Sequence, residues 1–385
     1  MNPTEHTHKI SASMLSSLHK EVNALSNVIL SNPLLPILEN FLLKIEDNEV
    51  ILAASDQQTS ILSRLPLAEK VTMQPLEIAV PARMFKETLK NLPKQPVDLS
   101  VDRERYNIAL KTSQGHYKIA SENADDFPKV FDFPKEDADV VVASDVLIQA
   151  INFTLFAASK DELRPDLSGV LVTLDQEGLS FVATDGHRLV RYTRKEITLN
   201  RHLKALVPAK TLQLLKQLLT GQNKKDIRFI FRESQLFITW DHVQMIVSTI
   251  NETYPDYENV IPKHNPHILT LNTDCLATLK RIGIYANRTT HQIRFKIDTN
   301  RIEVIAEDLD FSNEARETIE CQYDGPAMEI GFNAKLLVEM LSIFPSGEEI
   351  KFSLDTPNRA ILITPPDIKD EEDISMLIMP ILLEK

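Results

Sequence analysis

Three short landmarks recur along this 385-residue chain at one spacing, and that periodicity limits its fold more than any single motif does. A step from an apolar residue through Ala to a basic residue occurs as Val80-Pro81-Ala82-Arg83, Val207-Pro208-Ala209-Lys210 and Phe332-Asn333-Ala334-Lys335. Its basic residues stand at positions 83, 210 and 335, spaced 127 and 125 residues. An apolar strand ending in an acid occurs as Ala54-Ser55-Asp56, Ala183-Thr184-Asp185 and Ala306-Glu307-Asp308, spaced 129 and 123 residues. An aromatic-proline step, Asp126-Phe127-Pro128 and Thr253-Tyr254-Pro255-Asp256, places its prolines 127 residues apart. Landmarks that keep one order and one period predict three domains, at residues 1–134, 135–262 and 263–385.

Each unit opens with an amphipathic helix. Leu15, Leu18, Val22 and Leu25 share one helix face in the first, and Leu147, Ile151, Leu155 and Ala158 do so in the second, where Ser144-Asp145 is placed to cap. In the third, Asn272-Thr273-Asp274 precedes inward Leu276, Leu279 and Ile282. A second helix follows each basic step, over residues 84–92, 211–219 and 336–344. Between helices the pattern alternates with period two, as in residues 41–45, 170–174 and 293–297. The expected class is α+β, with two helices and antiparallel sheets in each domain and the second half of each unit resembling the first. Units in a line can pair their sheets end to end but leave two terminal edges open, which head-to-tail association with a second copy would close into a ring; a bent three-domain monomer is the alternative.

The net charge of −13 speaks against a generic nucleic-acid binder only if charge is evenly spread, and it is not. The second helix of unit one carries Arg83, Lys86 and Lys90 against Glu87, and its counterpart in unit two carries Lys210 and Lys216. The first helix of unit three carries Lys280 and Arg281, while acids gather at 122–126 and 367–373. One such helix is an ordinary solvated face, but repetition at equivalent positions points to a shared electropositive surface. The helix beginning at Ser144 is an exception, carrying only Asp145, so this surface is modest in strength.

No apolar run reaches the ~18 residues of a membrane span, and residues 1–9 lack the apolar core of a signal peptide. Two cysteines, Cys275 and Cys321, form no disulfide framework or metal pattern, as suits a reducing cytoplasm.

Asp185, His187 and Arg188, in F-V-A-T-D-G-H-R-L-V-R-Y (181–192), invite a catalytic reading. The three copies argue otherwise. After the shared acid they read Gln57-Gln58-Thr59, Gly186-His187-Arg188 and Leu309-Asp310-Phe311, so the acid belongs to the turn and Gly-His-Arg to the middle copy alone. A hydrolase would also need a nucleophile or metal set, and no G-x-S-x-G, H-E-x-x-H or phosphate-cradling loop is present among nine glycines. A surface hairpin with incidental polar residues is the plain alternative. At the C-terminus, 374–379 reads as a last buried strand ended by Pro380. The residues beyond it either pack simply on unit three or wall an apolar groove of the kind that takes peptides.

A-T-D-G-H-R-L (183–189), Y-P-D-Y-E-N-V-I-P (254–262), I-G-F-N-A-K-L-L (330–337), N-P-L-L-P-I-L-E-N (32–40) and M-P-I-L-L (379–383) resemble the bacterial DNA polymerase III beta subunit, the sliding clamp, over nearly the whole chain. The resemblance implies three clamp domains closing head to tail with a second subunit into a ring around duplex DNA, with no catalytic activity and no cofactor. It implies a separate ATP-driven loader and a groove that receives short linear motifs from the replicative polymerase, the clamp loader and repair proteins. Carried over by motif, that groove would comprise Leu167, Thr184, Gly186, His187, Arg188, Leu189, Pro255, Val260, Asn333, Met379, Pro380, Ile381, Leu382 and Leu383. DNA contacts would fall to Lys20, Arg83, Lys86, Lys90, Arg164, Lys210, Lys216, Lys280 and Arg281, and the subunit interface to Tyr117, Ile284 and Tyr285. Ile381 and Leu382 stand where the family usually has Met and Arg, Asn259 and Leu336 where Arg and Tyr are common, and Asn32 where an Arg is frequent. Two residues, Glu384 and Lys385, extend the usual terminus.

Overall fold

The computed structural model describes residues 5–46, 48–67, 76–102, 104–129, 133–365 and 368–383. Residues 1–4, Asp367 of the acidic run, and Glu384 and Lys385, all drawn on above, lie outside the described residues.

Each repeat is a strand–helix–three-strand motif used twice. The first comprises β1 (Glu5–Ile10), α1 (Ala12–Leu25), β2 (Asn40–Glu46), β3 (Glu49–Ser55) and β4 (Thr59–Pro66), then β5 (Leu76–Pro81), α2 (Ala82–Asn91), β6 (Val97–Asp102), β7 (Asn107–Lys111) and β8 (His116–Ala120). The second comprises β9 (Val140–Ala143), α3 (Ser144–Thr154), β10 (Gly169–Leu174), β11 (Leu179–Thr184) and β12 (Arg188–Arg194), then β13 (Leu203–Pro208), α4 (Ala209–Leu219), β14 (Asp226–Phe231), β15 (Gln235–Trp240) and β16 (Val243–Ser248). The third comprises β17 (His267–Asn272), α5 (Cys275–Gly283), β18 (Gln292–Asp298), β19 (Arg301–Asp308) and β20 (Asn313–Glu320). Its second half adds a short β21 (Gln322–Tyr323) before β22 (Met328–Asn333), α6 (Ala334–Leu341), β23 (Glu349–Leu354), β24 (Ile361–Thr364) and β25 (Glu372–Ile378).

Within each repeat the halves exchange their first strands. β5 completes the sheet of β2, β3 and β4, and β1 completes that of β6, β7 and β8. Sheets of neighbouring repeats then fuse. Antiparallel pairing of β4 with β16, Thr59 to Ser63 against Val247 to Val243, makes an eight-stranded sheet. Pairing of β12 with β25, from Arg188 opposite Ile378 to Arg194 opposite Glu372, makes a nine-stranded one. Among the described residues, the four-stranded sheets ending in β8 and β20 find no such continuation. Pairing across repeats is as expected, but each sheet keeps two terminal strands among the described residues, and β8 and β20 are distinct only as last strands of a half-repeat that lack the partner which β4, β16, β12 and β25 have.

Because the middle repeat lends one sheet to each neighbour, the compact units cut across the repeats. One unit holds Met1–Val146 and Leu214–Thr249, the other Leu147–Gln213 and Ile250–Lys385. Among the described residues no helix is long and apolar enough to cross a membrane.

The sequence periodicities map onto the core. Leu15, Leu18, Val22 and Leu25 of α1 are buried, as are Leu147 and Ile151 of α3. The second helices begin two residues earlier than the pattern predicts, at the Ala of each basic step, because the residue before it already turns the chain. In α6 that residue is Asn333, whose side chain accepts the Leu336 N–H at 3.2 Å. Two caps differ from expectation. The Ser144 hydroxyl accepts the Lys225 N–H at 3.0 Å instead of capping α3, and Asp274 makes no side-chain cap on α5, where Cys275 rather than Leu276 takes the buried place.

The aromatic-proline landmark also finds a physical reason. Phe127 is buried against Leu42, Ile51, Ala53 and Leu62 on one face of one sheet. Tyr254 packs at the matching place on Val182, Leu189, Ala360 and Leu377 of the other. Each linker thus seals the sheet face that precedes it.

Candidate functional site

The shared acid is a turn residue in all three copies. Asp56 Oδ1 accepts the N–H groups of Gln58 and Thr59 at 3.1 and 2.7 Å, and Asp308 Oδ1 accepts that of Asp310 at 3.2 Å. Asp185 Oδ1 takes those of His187 and Arg188 at 2.9 and 3.0 Å. Gly186 then adopts φ of +88°, as Gln57 does at +73° in the first copy, so the left-handed step belongs to the hairpin and Gly makes it without strain. Thr184 closes the turn, its hydroxyl donating to the Arg188 carbonyl at 2.6 Å.

Arg188 is where the middle copy departs. Its side chain is only 4% exposed, and its guanidinium reaches Asp185 Oδ2 at 3.0 Å, the Phe156 carbonyl at 2.6 Å and Glu339 Oε2 at 2.7 Å. The same group lies over the Phe156 ring, 5.0 Å from its centroid. Its charge is spent inside the molecule, tying the hairpin to α6 of the third repeat, so it holds the hairpin's shape and offers no free cation to a ligand. Both Asp185 oxygens bond the turn and Arg188, and no hydrogen bond joins the His187 ring to Asp185 among the described residues. His187 itself is exposed.

The C-terminal tail runs from this hairpin to the edge of β22. Met379 donates its N–H to the His187 carbonyl at 2.8 Å, and Ile381 donates to the Gly331 carbonyl at 2.8 Å. Gly331 is required there, since a Cβ at that position would stand 2.6 Å from the Ile381 carbonyl oxygen. The last strand ends at Ile378, one residue earlier than the sequence predicts, because Met379 turns out to bond the hairpin. Met379 is left 41% and Leu382 74% exposed, while Pro380, Ile381 and Leu383 are half-buried.

Beside the tail, Leu189 and Leu377 form a buried apolar cluster on which Tyr254 and Tyr257 pack. The Tyr254 hydroxyl donates to the Val182 carbonyl at 3.4 Å, and burial pushes its pKa up. Val260 (54% exposed) and Pro255 remain at the surface of the same segment. Leu167 is buried in the short turn Pro165–Leu167 and Leu189 within β12, so both lie beneath the surface. Asn333 is occupied by Leu336 and by the Thr290 carbonyl, to which it donates at 3.2 Å. The structure therefore brings Thr184, Gly186, His187, Arg188 and Leu189 together with Met379, and seats Ile381 on Gly331, two residues before Asn333 in β22.

The basic residues expected on helices are surface groups, but several have partners. Lys20, Arg83, Lys210 and Lys280 are exposed, and Lys216 is half-buried. Lys86 donates to Ser26 Oγ at 2.8 Å and Lys90 lies 3.8 Å from Glu87. Arg164 and Arg281 form two-bond pairs with Asp166 and Glu317, which lowers the carboxylate pKa of each acid. Tyr117 is 41% exposed on the open edge strand β8, and Ile284 (78%) and Tyr285 (44%) follow α5.

Phe156, Glu339, Gly331 and Tyr257 were not singled out by the sequence, and Tyr254 only as a repeat landmark. Gly331 had a further signal: in a chain with nine glycines, one inside a strand marks a close backbone approach.

Comparison with known proteins gives one answer along the whole chain. Residues 14–131, 141–256 and 258–382 match the family models of the N-terminal, central and C-terminal domains of the DNA polymerase III beta subunit. The beta sliding clamp of Pseudomonas aeruginosa is 26% identical over 370 residues, covering 95% of this chain and 98% of that protein. That of Bacillus subtilis is 26% identical over 374 residues, covering 94% and 97%. Among solved structures, the DNA polymerase sliding clamp from Bacillus subtilis superposes with a TM-score of 0.88 at 25% identity, covering 98% of this chain and 99% of that one. A Pseudomonas aeruginosa sliding clamp bound to griselimycin gives 0.86 at 25% identity, with 98% and 99% covered.

Proposed function

The chain belongs to the DNA polymerase III beta subunit family, and from that membership we propose that it is a sliding clamp, a processivity factor that encircles duplex DNA and tethers DNA polymerase III to it. The observation that carries the ring is that β8 and β20, unlike β4, β16, β12 and β25, end their half-repeats without a partner strand from another repeat among the described residues. Such edges are a hazard unless covered, and head-to-tail pairing of β8 with the β20 of a second copy covers both pairs at once. Tyr117, Ile284 and Tyr285 supply exposed apolar surface for that junction.

On this reading the repeats act as domains at 1–134, 135–262 and 263–385. Lys20, Arg83, Lys86, Lys90, Arg164, Lys210, Lys216, Lys280 and Arg281 face the duplex. Because several of these already pair with acids, phosphate contact is weak and sequence-independent, which lets a ring slide. Retention comes from topology.

The surface formed by His187, Val260, Pro255 and Met379, with the tail to Leu383, receives short linear motifs of the polymerase, the clamp loader and repair proteins. Apolar side chains of those motifs would supply most of the affinity. The protein acts in the cytoplasm, needs no cofactor and catalyses nothing itself; the commitment of both Asp185 oxygens supports that last point. Light scattering of the purified chain tests the ring. Twice the 43.7 kDa chain mass at micromolar concentration is expected, and a monomer would leave a scaffold that never encloses DNA.

A further inference from the structure

The hairpin tip of the third repeat, Leu309-Asp310-Phe311, is the internal counterpart of Gly186-His187-Arg188, yet the clamp reading gives it no task. Leu309 is 88% and Phe311 59% exposed, an unusual outlay of apolar surface on a turn. Phe311 is held by Arg288, whose guanidinium lies 4.8 Å from the ring centroid. Between this tip and the tail lies a cleft of about 570 Å³, with Ile305 and Ile381 beside Arg294 inside it and Leu309 and Leu382 on its rim. Leu382 is itself 74% exposed.

The tail thus has a hairpin tip at each end. The middle repeat's tip holds Met379 through His187, and the third repeat's tip shares the cleft with Ile381 and Leu382. From Met379 to Leu382 an extended chain spans about 10 Å, so roughly three or four residues of a peptide laid along the tail would join the two places. Charge narrows the occupant further. Arg294 lies 3.7 Å from Glu329, and Glu307 lies 3.7 Å from Arg316. Asp310 accepts only the Asn287 amide, at 3.4 Å, and makes no ion pair among the described residues.

We propose that this cleft is a second docking site, continuous with the groove, for the stretch of a polymerase III partner that flanks its groove-binding motif. That stretch would place a large apolar side chain between Leu309 and Leu382, next to a Lys or Arg facing Asp310. The proposal rests on the groove reading above, and the test separates the two.

Binding of the DNA polymerase III assembly lacking its own beta subunit is measured on full-length wild type, Leu309→Asp and Met379→Asp, with the mass and melting temperature of each. Leu309→Asp is expected to weaken binding about ten-fold, with mass and melting unchanged, since the side chain is exposed in the free protein and buried only in the complex. A photoreactive benzophenone side chain at 309 should crosslink to the polymerase within about ten residues of its groove motif. Wild-type affinity of Leu309→Asp beside weak Met379→Asp overturns the cleft and leaves the groove intact. Unchanged binding by Met379→Asp overturns the groove and, with it, the continuity claimed here. Monomeric Leu309→Asp would assign the patch to a second copy of this chain, and so overturns the proposal too.

Discussion

The backbone N–H of Met379 donates to the carbonyl of His187 at 2.8 Å, so the last residues of the chain are fastened to the hairpin of the middle repeat. The tail's other anchor is Gly331, and this makes a discriminating substitution available. Gly331→Ala puts a methyl 2.6 Å from the Ile381 carbonyl oxygen and must lift the tail. Binding of DNA polymerase III should fall at least about ten-fold, as expected when a groove anchor is misplaced, while the oligomeric mass stays that of wild type. Undiminished binding would mean the tail does not form the groove.

Arg188 carries a separate prediction about stability. Removing its guanidinium leaves Asp185 Oδ2 and the Phe156 carbonyl without this donor and takes an ion pair from Glu339. Breaking a buried pair costs about 3–5 kcal/mol, and since the Glu339 side chain is 45% exposed, Arg188→Ala should lie near the lower end, about 3 kcal/mol, in urea unfolding. Arg188→Lys should recover only part of this, because an ammonium cannot span all three acceptors with the planar fork. A loss below about 0.5 kcal/mol, the size of an ordinary surface substitution, would contradict the strut.

The basic helix faces are tested by salt dependence. Each phosphate contact contributes about 0.9 to the slope of log K against log salt for duplex DNA. Replacing exposed Arg83 or Lys280 by Ala should reduce that slope by roughly this amount each on a linear duplex. Arg281→Ala should change it less, since its guanidinium is already paired with Glu317 at 2.6 Å. Equal effects at 280 and 281 would remove the distinction.

Alkaline pH should weaken the fold through Cys275. Burial inside α5 pushes its thiol from 9.0 up to about 12, so the folded state keeps a proton that the unfolded chain gives up. The sign follows: stability is full below pH 9 and is lost as pH rises towards about 12. That loss reaches up to about 1.4 kcal/mol per pH unit from this one group. Burial raises Tyr192 as well, to about 12, so the decline steepens above pH 10. Urea unfolding at pH 8, 9 and 10 should show a flatter decline for Cys275→Ala between pH 9 and 10; a parallel decline would exclude this origin.

Much of this architecture was legible because the chain repeats. Comparing Asp56, Asp185 and Asp308 separated a turn acid from the Gly-His-Arg that follows it, and all three acids accept turn amides. Periodicity placed the helix face of α1 and the alternation of β10 and β18 for the same reason, since burial selects one face, whereas β2 is buried on both faces over Asn40 to Leu43, where Phe127 covers Leu42. What sequence could not supply was long-range partnership. Nothing near Arg188 in the chain announces Glu339, 151 positions away, and nothing near Ile381 announces Gly331. The lysines and arginines read as one basic surface because spacing reveals the face a residue occupies but not the acid across from it, as Asp166 and Glu317 are for Arg164 and Arg281. The two cap errors are of this kind too, since the Lys225 N–H that claims the Ser144 hydroxyl belongs to a strand neighbour.

Retention on closed DNA tests the central claim most directly. The protein is placed on a nicked circular duplex by its cognate loader and ATP, separated from free protein, and followed as the circle is cut once by a restriction enzyme. A ring held by topology stays on the circle and is lost rapidly once an end exists, with the loss blocked when the ends are capped by a bulky protein. Equal release from circular and linear DNA would contradict encirclement, leaving a protein that binds duplex only through its surface charges.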